Sequence, residues 1–283
     1  MGHVADQAEG LRKLLGRDFV RILTMTSSRE GVGKTTAVLN LAIALSKAGK
    51  NVLVLDENPG KGGIAAMLGI ENAHDLADVA NFGMSLEEAM ISGPEGVAIL
   101  QAGRRTMFKA YGGMGGSQCN RLVDVVLVDS AASSESRLLT PDFAAQEVVV
   151  VLSAEGQAIT DAYAHIKAMH KDYGKRHFRI LVNKVKDEAE ARAAFDAMSQ
   201  VARRFLALSL DFMGHVPFDE SLRQASRLKG AVVEAFPLAA SSSSFRKIAD
   251  TVVRWPYPQH KHGSIDDILQ QLIKNSRLSA ANI

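Results

Sequence analysis

Cysteine is almost missing from this chain: Cys119 is the only one in 283 residues. That excludes an intramolecular disulfide and any cysteine-rich metal or iron–sulfur site within one subunit, and it suits a reducing, cytoplasmic setting. No apolar run reaches the roughly 18 residues that mark a membrane-spanning helix, so none is expected. No secretory leader is expected either, because Asp6, Glu9 and Arg12 interrupt the first stretch. Charge of one sign is hardly in excess. Lys and Arg number 33 and Asp and Glu 31, a net charge of +2, too small to argue for nucleic acid from charge alone. No internal repeat is visible. What remains, with 47% hydrophobic residues, is a globular chain that fits one α/β domain of about 250 residues with short tails.

The chain is organised around Phe19 to Thr36, FVRILTMTSSREGVGKTT. It reads as an apolar strand, a glycine-containing turn, and a helix beginning near Gly33. A phosphate loop needs such an ending: backbone N–H groups that wrap phosphate oxygens, a Lys for the outer phosphates and a hydroxyl for Mg²⁺. Gly33, Lys34 and Thr35 close the pattern G-x-x-x-x-G-K-[ST], with Thr36 beside them. The first position of the pattern holds Ser28 instead of Gly. An ordinary strand–turn–helix corner is the competing reading.

Ahead of this stretch lies a small unit, residues 1–17. Asp6 with Glu9 makes a capping-box variant, and Ala8, Leu11, Leu14 and Leu15 share one helical face. So short a helix is marginal unless it docks, either on its own domain or on a partner.

Residues 18–254 alternate strand and helix. Apolar runs are expected as strands at 51–55, 97–100, 123–128, 148–152, 178–182 and 210–216. Helices are expected at about 37–48, 85–91, 158–172, 187–206, 219–228 and 245–253. The order predicts a mostly parallel sheet of about seven strands with helices on both faces, joined by right-handed crossovers. Gly112 to Gly116 (GGMGG) reads as a spacer loop. Trp255-Pro256-Tyr257-Pro258 breaks the last body helix and opens a linker, 255–263. Residues 264–283 follow as a final helix. Its Ile265, Ile268, Leu269, Leu272 and Ile273 form a clean apolar stripe. Lys261, Lys274 and Arg277 supply some basic character and Asp266 and Asp267 oppose it, so membrane surface, body and partner all stay open as its docking site.

In open α/β sheets ligands sit at the carboxyl ends of the strands. A bound Mg–nucleotide needs a carboxylate there, usually reaching the metal through water. Asp129, after VVLV, is the first candidate and Asp56, after VLVL, the second; ordinary helix capping is the alternative for such an Asp. Asn183, at the end of the sixth strand, could read an adenine edge with its amide or simply shape a turn.

These motifs, taken in order, resemble a known family. SREGVGKTT, VLVLDENPG, VVLVDSAAS, AITDAYAHIK, RILVNKV and GHVPFDESL occur as in the MinD/ParA-type deviant-Walker P-loop ATPases. DQAEGLR (residues 6–12) and ITDAYA (residues 159–164) resemble the flagellar-number regulators of the FlhG/FleN type. The likeness covers essentially the whole chain. It implies binding of ATP and Mg²⁺ by a dimer that encloses two nucleotides. The implied nucleotide-binding residues are Gly31, Val32, Gly33, Lys34, Thr35, Thr36, Asn183 and Pro217, with Thr35 and Asp129 on the metal. It also implies partners: a signal-recognition-type flagellar GTPase met by residues 6–15, a flagellar transcription activator, and a membrane surface met by residues 264–278. Sequence-specific nucleic acid is not among them. The location implied is cytoplasmic and peripheral at the inner face of the cell membrane.

Three positions depart from the family pattern. Arg29 stands where the family has a Lys that reaches the partner's phosphates, and a planar guanidinium is no simple replacement for it. Glu30 stands in place of Gly and is expected to turn its charge away from phosphate, toward Arg29. Asn58 stands two residues after Asp56, in place of an Asp that positions the attacking water. Asn can orient water but cannot accept a proton. The catalytic set expected is therefore Lys34, Arg29, Asn58 and Asp56, with slow or absent ATP hydrolysis. The alternatives are a nucleotide-independent scaffold on a degenerate ATPase fold and a DNA-partition ATPase.

Overall fold

Strand β1 (Arg21–Thr26, RILTMT) is buried along its whole length and leads straight into the loop that precedes helix α1 (Lys34–Lys47). The structure is a computed structural model that describes residues 20–58, 60–71, 74–82, 84–102, 123–131, 146–256 and 268–269. The N-terminal unit, the GGMGG segment, Cys119, residues 257–263 of the linker and most of the final helix lie outside the described residues.

Chain order continues with β2 (Val52–Asp56), α2 (Ile64–Leu68), α3 (Leu76–Phe82), α4 (Leu86–Ala89), β3 (Ile91–Ser92), β4 (Ala98–Gln101), β5 (Val125–Asp129) and β6 (Gln146–Ser153). Then come α5 (Gly156–Tyr173), β7 (His177–Val185), α6 (Glu188–Leu206), β8 (Ser209–Pro217), α7 (Glu220–Arg227), α8 (Val232–Ala235) and α9 (Ala240–Arg254). The strands form one sheet in the order β3-β4-β2-β5-β1-β6-β7-β8. Every pairing is parallel except β3 with β4.

The described residues thus hold eight strands, not seven. The extra one, β3, is two residues long and antiparallel, too short to leave a pattern in the sequence. Helices α2, α3 and α8 were also not anticipated, for the same reason of length. Helix α9 begins at Ala240, not Phe245, so the run Ser241–Ser244 is helical. Serine competes with its own backbone for hydrogen bonds, but here that tendency is absorbed by neighbours. Ser241 Oγ donates to Asp219 at 2.8 Å, and Ser242 Oγ to the Val232 and Phe236 carbonyls at 2.9 and 2.7 Å.

Both faces of the sheet are covered, which explains why the strands read as continuous Val, Ile and Leu runs. On the front face Leu23, Met25, Val54, Leu127 and Val149 pack with Leu41 and Ile43 of α1 and Phe245 and Ile248 of α9. The back face is two clusters. One joins Val150 and Ile180 to Ile166 of α5 and Met198 of α6. The other joins Ile22, Leu53, Leu55 and Val128 to Leu76 and Val79 of α3 and Leu86 of α4. Ile268 and Leu269, the two described residues of the last segment, are helical and buried in that second cluster. This part of the apolar stripe lies on the body of the protein.

At the amino edge of the sheet four side chains interlock. Arg21 and Arg179 share Glu147, at 2.5 and 2.8 Å. Arg179 stacks 3.8 Å from the ring centre of Trp255, and Arg21 donates to the Trp255 and Pro256 carbonyls at 3.0 and 2.8 Å. The end of α9 is held there, at the edge opposite the phosphate loop. Among the described residues no helix is long and apolar enough to cross a membrane.

Candidate nucleotide site

The phosphate loop joins two buried elements. Thr26 ends β1 at 1% exposure; Ser28 to Gly31 rise to the surface; Val32 returns to the interior. Gly31 and Gly33 take φ of 76° and 88°, which glycine adopts freely and other residues do not. Gly33 is also a place of close approach: a Cβ there would lie 2.3 Å from Asn183 Nδ2. Helix α1 starts at Lys34 with no acidic residue in its first turn, so its amino end is open to an anion.

Beside the loop, β2 and β5 run in register, and Asp56 and Asp129 are direct neighbours on the same side of the sheet. The Lys34 ammonium pairs with Asp129 Oδ1 and donates to the Ser130 carbonyl at 2.5 Å. Thr35 follows Lys34 in the first turn of α1, and its hydroxyl favours the charged form of Asp129. Asn58 bridges the two acids. Its Nδ2 donates to Asp129 Oδ2 at 2.8 Å, to the Asp129 carbonyl at 3.0 Å and to Asp56 Oδ1 at 3.3 Å. Asp56 further accepts the Asn58 N–H at 2.9 Å and the Ile64 N–H at 2.7 Å. The last bond caps the start of α2, so Asp56 does take on the ordinary capping role as well. One ammonium faces two buried carboxylates. Burial, with the charge of Asp129 added, pushes the Asp56 carboxyl up to about 6. Burial raises Asp129 as well, against the pull of Lys34, Thr35 and Asn58.

The remaining candidate residues sit around this centre. Thr36 occupies the first turn of α1, and its carbonyl accepts from Asn40 at 2.9 Å. Asn183 ends up with its Nδ2 on the Val32 carbonyl at 2.7 Å and its Oδ1 on the Lys184 N–H at 2.9 Å, so its amide faces the phosphate loop itself. Pro217 closes β8 opposite Val185, next to the pair Asn183–Val216. Arg29 is exposed, and its Nε lies 3.4 Å from Asp161 of α5; among the described residues its ion partner is Asp161 and not Glu30. The neighbouring carboxylate, Glu57, does not stand in for the one absent at 58: its Oε2 accepts the Ala131 N–H at 3.0 Å.

Sequence reasoning passed over His165. It is buried, its Nε2 lies 2.9 Å from Thr26 Oγ1, and burial brings its pKa down to about 4. The signal was its place on the stripe Ala158, Ala162, His165, Ile166, Met169, which α5 turns inward. The Asp161 pairing left no trace in spacing.

Residues 23–230 match the family model described as the CobQ/CobB/MinD/ParA nucleotide binding domain. The chain belongs to this family. Among its relatives is the antiactivator FleN of Pseudomonas aeruginosa, 34% identical over 275 residues, 93% of this chain and 96% of that one. The flagellum site-determining protein YlxH of Helicobacter pylori is 27% identical over 247 residues, 82% of each chain. Of solved structures, the septum site-determining protein MinD complexed with Mg-ADP from Pyrococcus horikoshii superimposes with a TM-score of 0.61 at 21% identity, covering 83% of this chain and 96% of that one. The family likeness places the eight-stranded sheet and its loop in the P-loop NTPase class.

Mg–nucleotide fits the residues present. Two positive-φ glycines and an uncapped helix start make an anion cradle. Among the described residues there is no cluster of three or more His, Cys, Asp or Glu able to hold a metal.

Proposed function

We propose that this protein is an ATP-binding, MinD-like dimeric switch that regulates flagellum number or assembly, and that it hydrolyses ATP slowly. The observation that carries the reading is the Lys34–Asp129–Asn58 network on a chain 34% identical, over 93% of its length, to an antiactivator. Gly31, Val32, Gly33, Lys34, Thr35 and Thr36 hold the phosphates, Thr35 and Asp129 hold Mg²⁺, and Asn183 and Pro217 border the base. Bound Mg²⁺ supplies neutralisation of phosphate charge. The slow step belongs to Asn58. Its amide donates to both acids and has no proton-accepting group to offer water. Arg29 must leave Asp161 before it can serve a second subunit.

A nucleotide that bridges two subunits contributes differential affinity for the dimer, which is what a switch requires. Residues 6–15 would meet the flagellar GTPase, the activator would bind a second surface, and residues 264–278 would reach the inner membrane face after leaving the body. A steady-state turnover assay tests the reading. The expectation is turnover well below that of MinD-type relatives and raised by Asn58→Asp. Family-normal turnover that this substitution does not raise would sink it, and no ATP binding at millimolar concentration would leave a constitutive scaffold.

A further inference from the structure

Strand β7 is irregular at its carboxyl end. Asn183 pairs with Val216 and Val185 with Pro217, so Lys184 is an extra residue with no partner across the ladder. It also has φ of 58°, a left-handed conformation that costs a non-glycine residue about 1 kcal/mol. Bulges of this kind re-aim side chains next to active sites. Here the bulge sends Lys184 to the phosphate loop: its Nζ donates to the Gly31 carbonyl at 2.6 Å. The residue before it does the same one peptide further on, with Asn183 Nδ2 on the Val32 carbonyl at 2.7 Å.

These two bonds have a geometric consequence. In a trans peptide the carbonyl of one residue and the N–H of the next point in opposite directions, and no described peptide is cis. A Gly31 carbonyl held outward by Lys184 turns the Val32 N–H inward. A Val32 carbonyl held by Asn183 does the same for the Gly33 N–H. Those two N–H groups, with that of Lys34, are the anion-binding part of the loop. Lys34 itself is engaged by Asp129 and Ser130, and Arg29 by Asp161. Among the described cations Lys184 is the one whose ammonium bonds the loop backbone from outside.

We infer that Lys184 is a positioning residue for phosphate binding, orienting the Gly31–Val32 peptide so that the cradle exists before nucleotide arrives. This rests on the nucleotide-binding reading above. It goes beyond that reading by giving a role to a residue that touches no phosphate.

The test compares wild-type full-length protein with Lys184→Gly and Lys184→Arg. Glycine keeps the left-handed backbone without strain, so the variant folds and lacks only the ammonium. Mg-ADP affinity by calorimetry is read together with the amide resonances of Val32 and Gly33. Lys184→Gly should weaken Mg-ADP about tenfold and Lys184→Arg no more than about twofold, because a charge-assisted donor is lost in the first and kept in the second. In Lys184→Gly the ADP-induced shifts of the Val32 and Gly33 amides should shrink. The inference falls if Lys184→Gly binds Mg-ADP like wild type. It falls equally if affinity drops while both amides respond to ADP as in wild type. If wild type binds no Mg-ADP, the nucleotide reading fails instead. The positioning claim is then decided by the free proteins, where unchanged Val32 and Gly33 resonances in Lys184→Gly would overturn it.

Discussion

The two edges of the sheet each bury charge, and they do so in opposite ways. At the amino edge two arginines share Glu147, Arg179 stacks on the Trp255 ring, and Arg21 also donates to two carbonyls. At the carboxyl edge one lysine faces two acids, held together by an amide and backbone N–H groups. The first cluster is built on guanidinium cations that can never lose their protons. The second has a surplus of acids that can take one up, and both are pushed upward in pKa. A cluster that closes on permanent charges holds a chain end in place. On the function proposed above, titratable acids beside an anion cradle suit a ligand that brings both charges, a metal and a phosphate.

The largest expected effect breaks the amino edge. Glu147→Ala removes the carboxylate that both arginines share, and should cost about 3 to 5 kcal/mol in urea unfolding. Mg-ADP affinity should stay as it was, because nothing at the loop changes. At the carboxyl edge Lys34→Met should weaken Mg-ADP about a hundredfold, roughly 2.7 kcal/mol. Its loss of stability should be smaller than that of Glu147→Ala, since a buried Asp129 left without its lysine can bind a proton.

Two smaller effects sharpen the contrast. His165, under the loop, is depressed to about 4 from an ordinary 6.5. Its contribution is therefore complete above pH 6.5 and is lost as pH falls toward 4, amounting to about 2 kcal/mol by pH 5. Asp56, raised to about 6, works in the other direction, since the destabilisation it causes above pH 6 is relieved on acidification. Both proteins carry Asp56, so a comparison with His165→Gln cancels it: the drop in melting temperature from pH 7 to pH 5 should be smaller in the variant. Asn58→Asp should destabilise the nucleotide-free protein by about 1 kcal/mol, because it replaces a donor to two carboxylates with a third like charge. The same change is expected to raise turnover, so equilibrium unfolding and turnover should move in opposite directions.

Much of this architecture can be read from the chain alone. VVLV before Asp129 and VLVL before Asp56 declare strands buried on both faces, and GVGKTT declares the corner between β1 and α1. Short pieces such as β3 carry too few residues to show a period. What spacing cannot convey is which side chains meet across the sheet. The chemistry of Asn183 suits an adenine edge or a turn, and its contact with Val32 spans 151 positions that no pattern links. Arg29 and Asp161 are 132 positions apart and meet only because α5 packs behind β6 and β1. The bond of Glu57 to the Ala131 N–H likewise joins two loops 74 positions apart.

The most direct test of the switch is the molar mass of the full-length protein in solution, measured by light scattering with Mg-ATP and with Mg-ADP. The account predicts twice the chain mass in Mg-ATP, lasting for many minutes because Asn58 cannot take a proton from water, and a single chain in Mg-ADP. The same mass in both nucleotides, or a Mg-ATP dimer that decays within seconds, would contradict it.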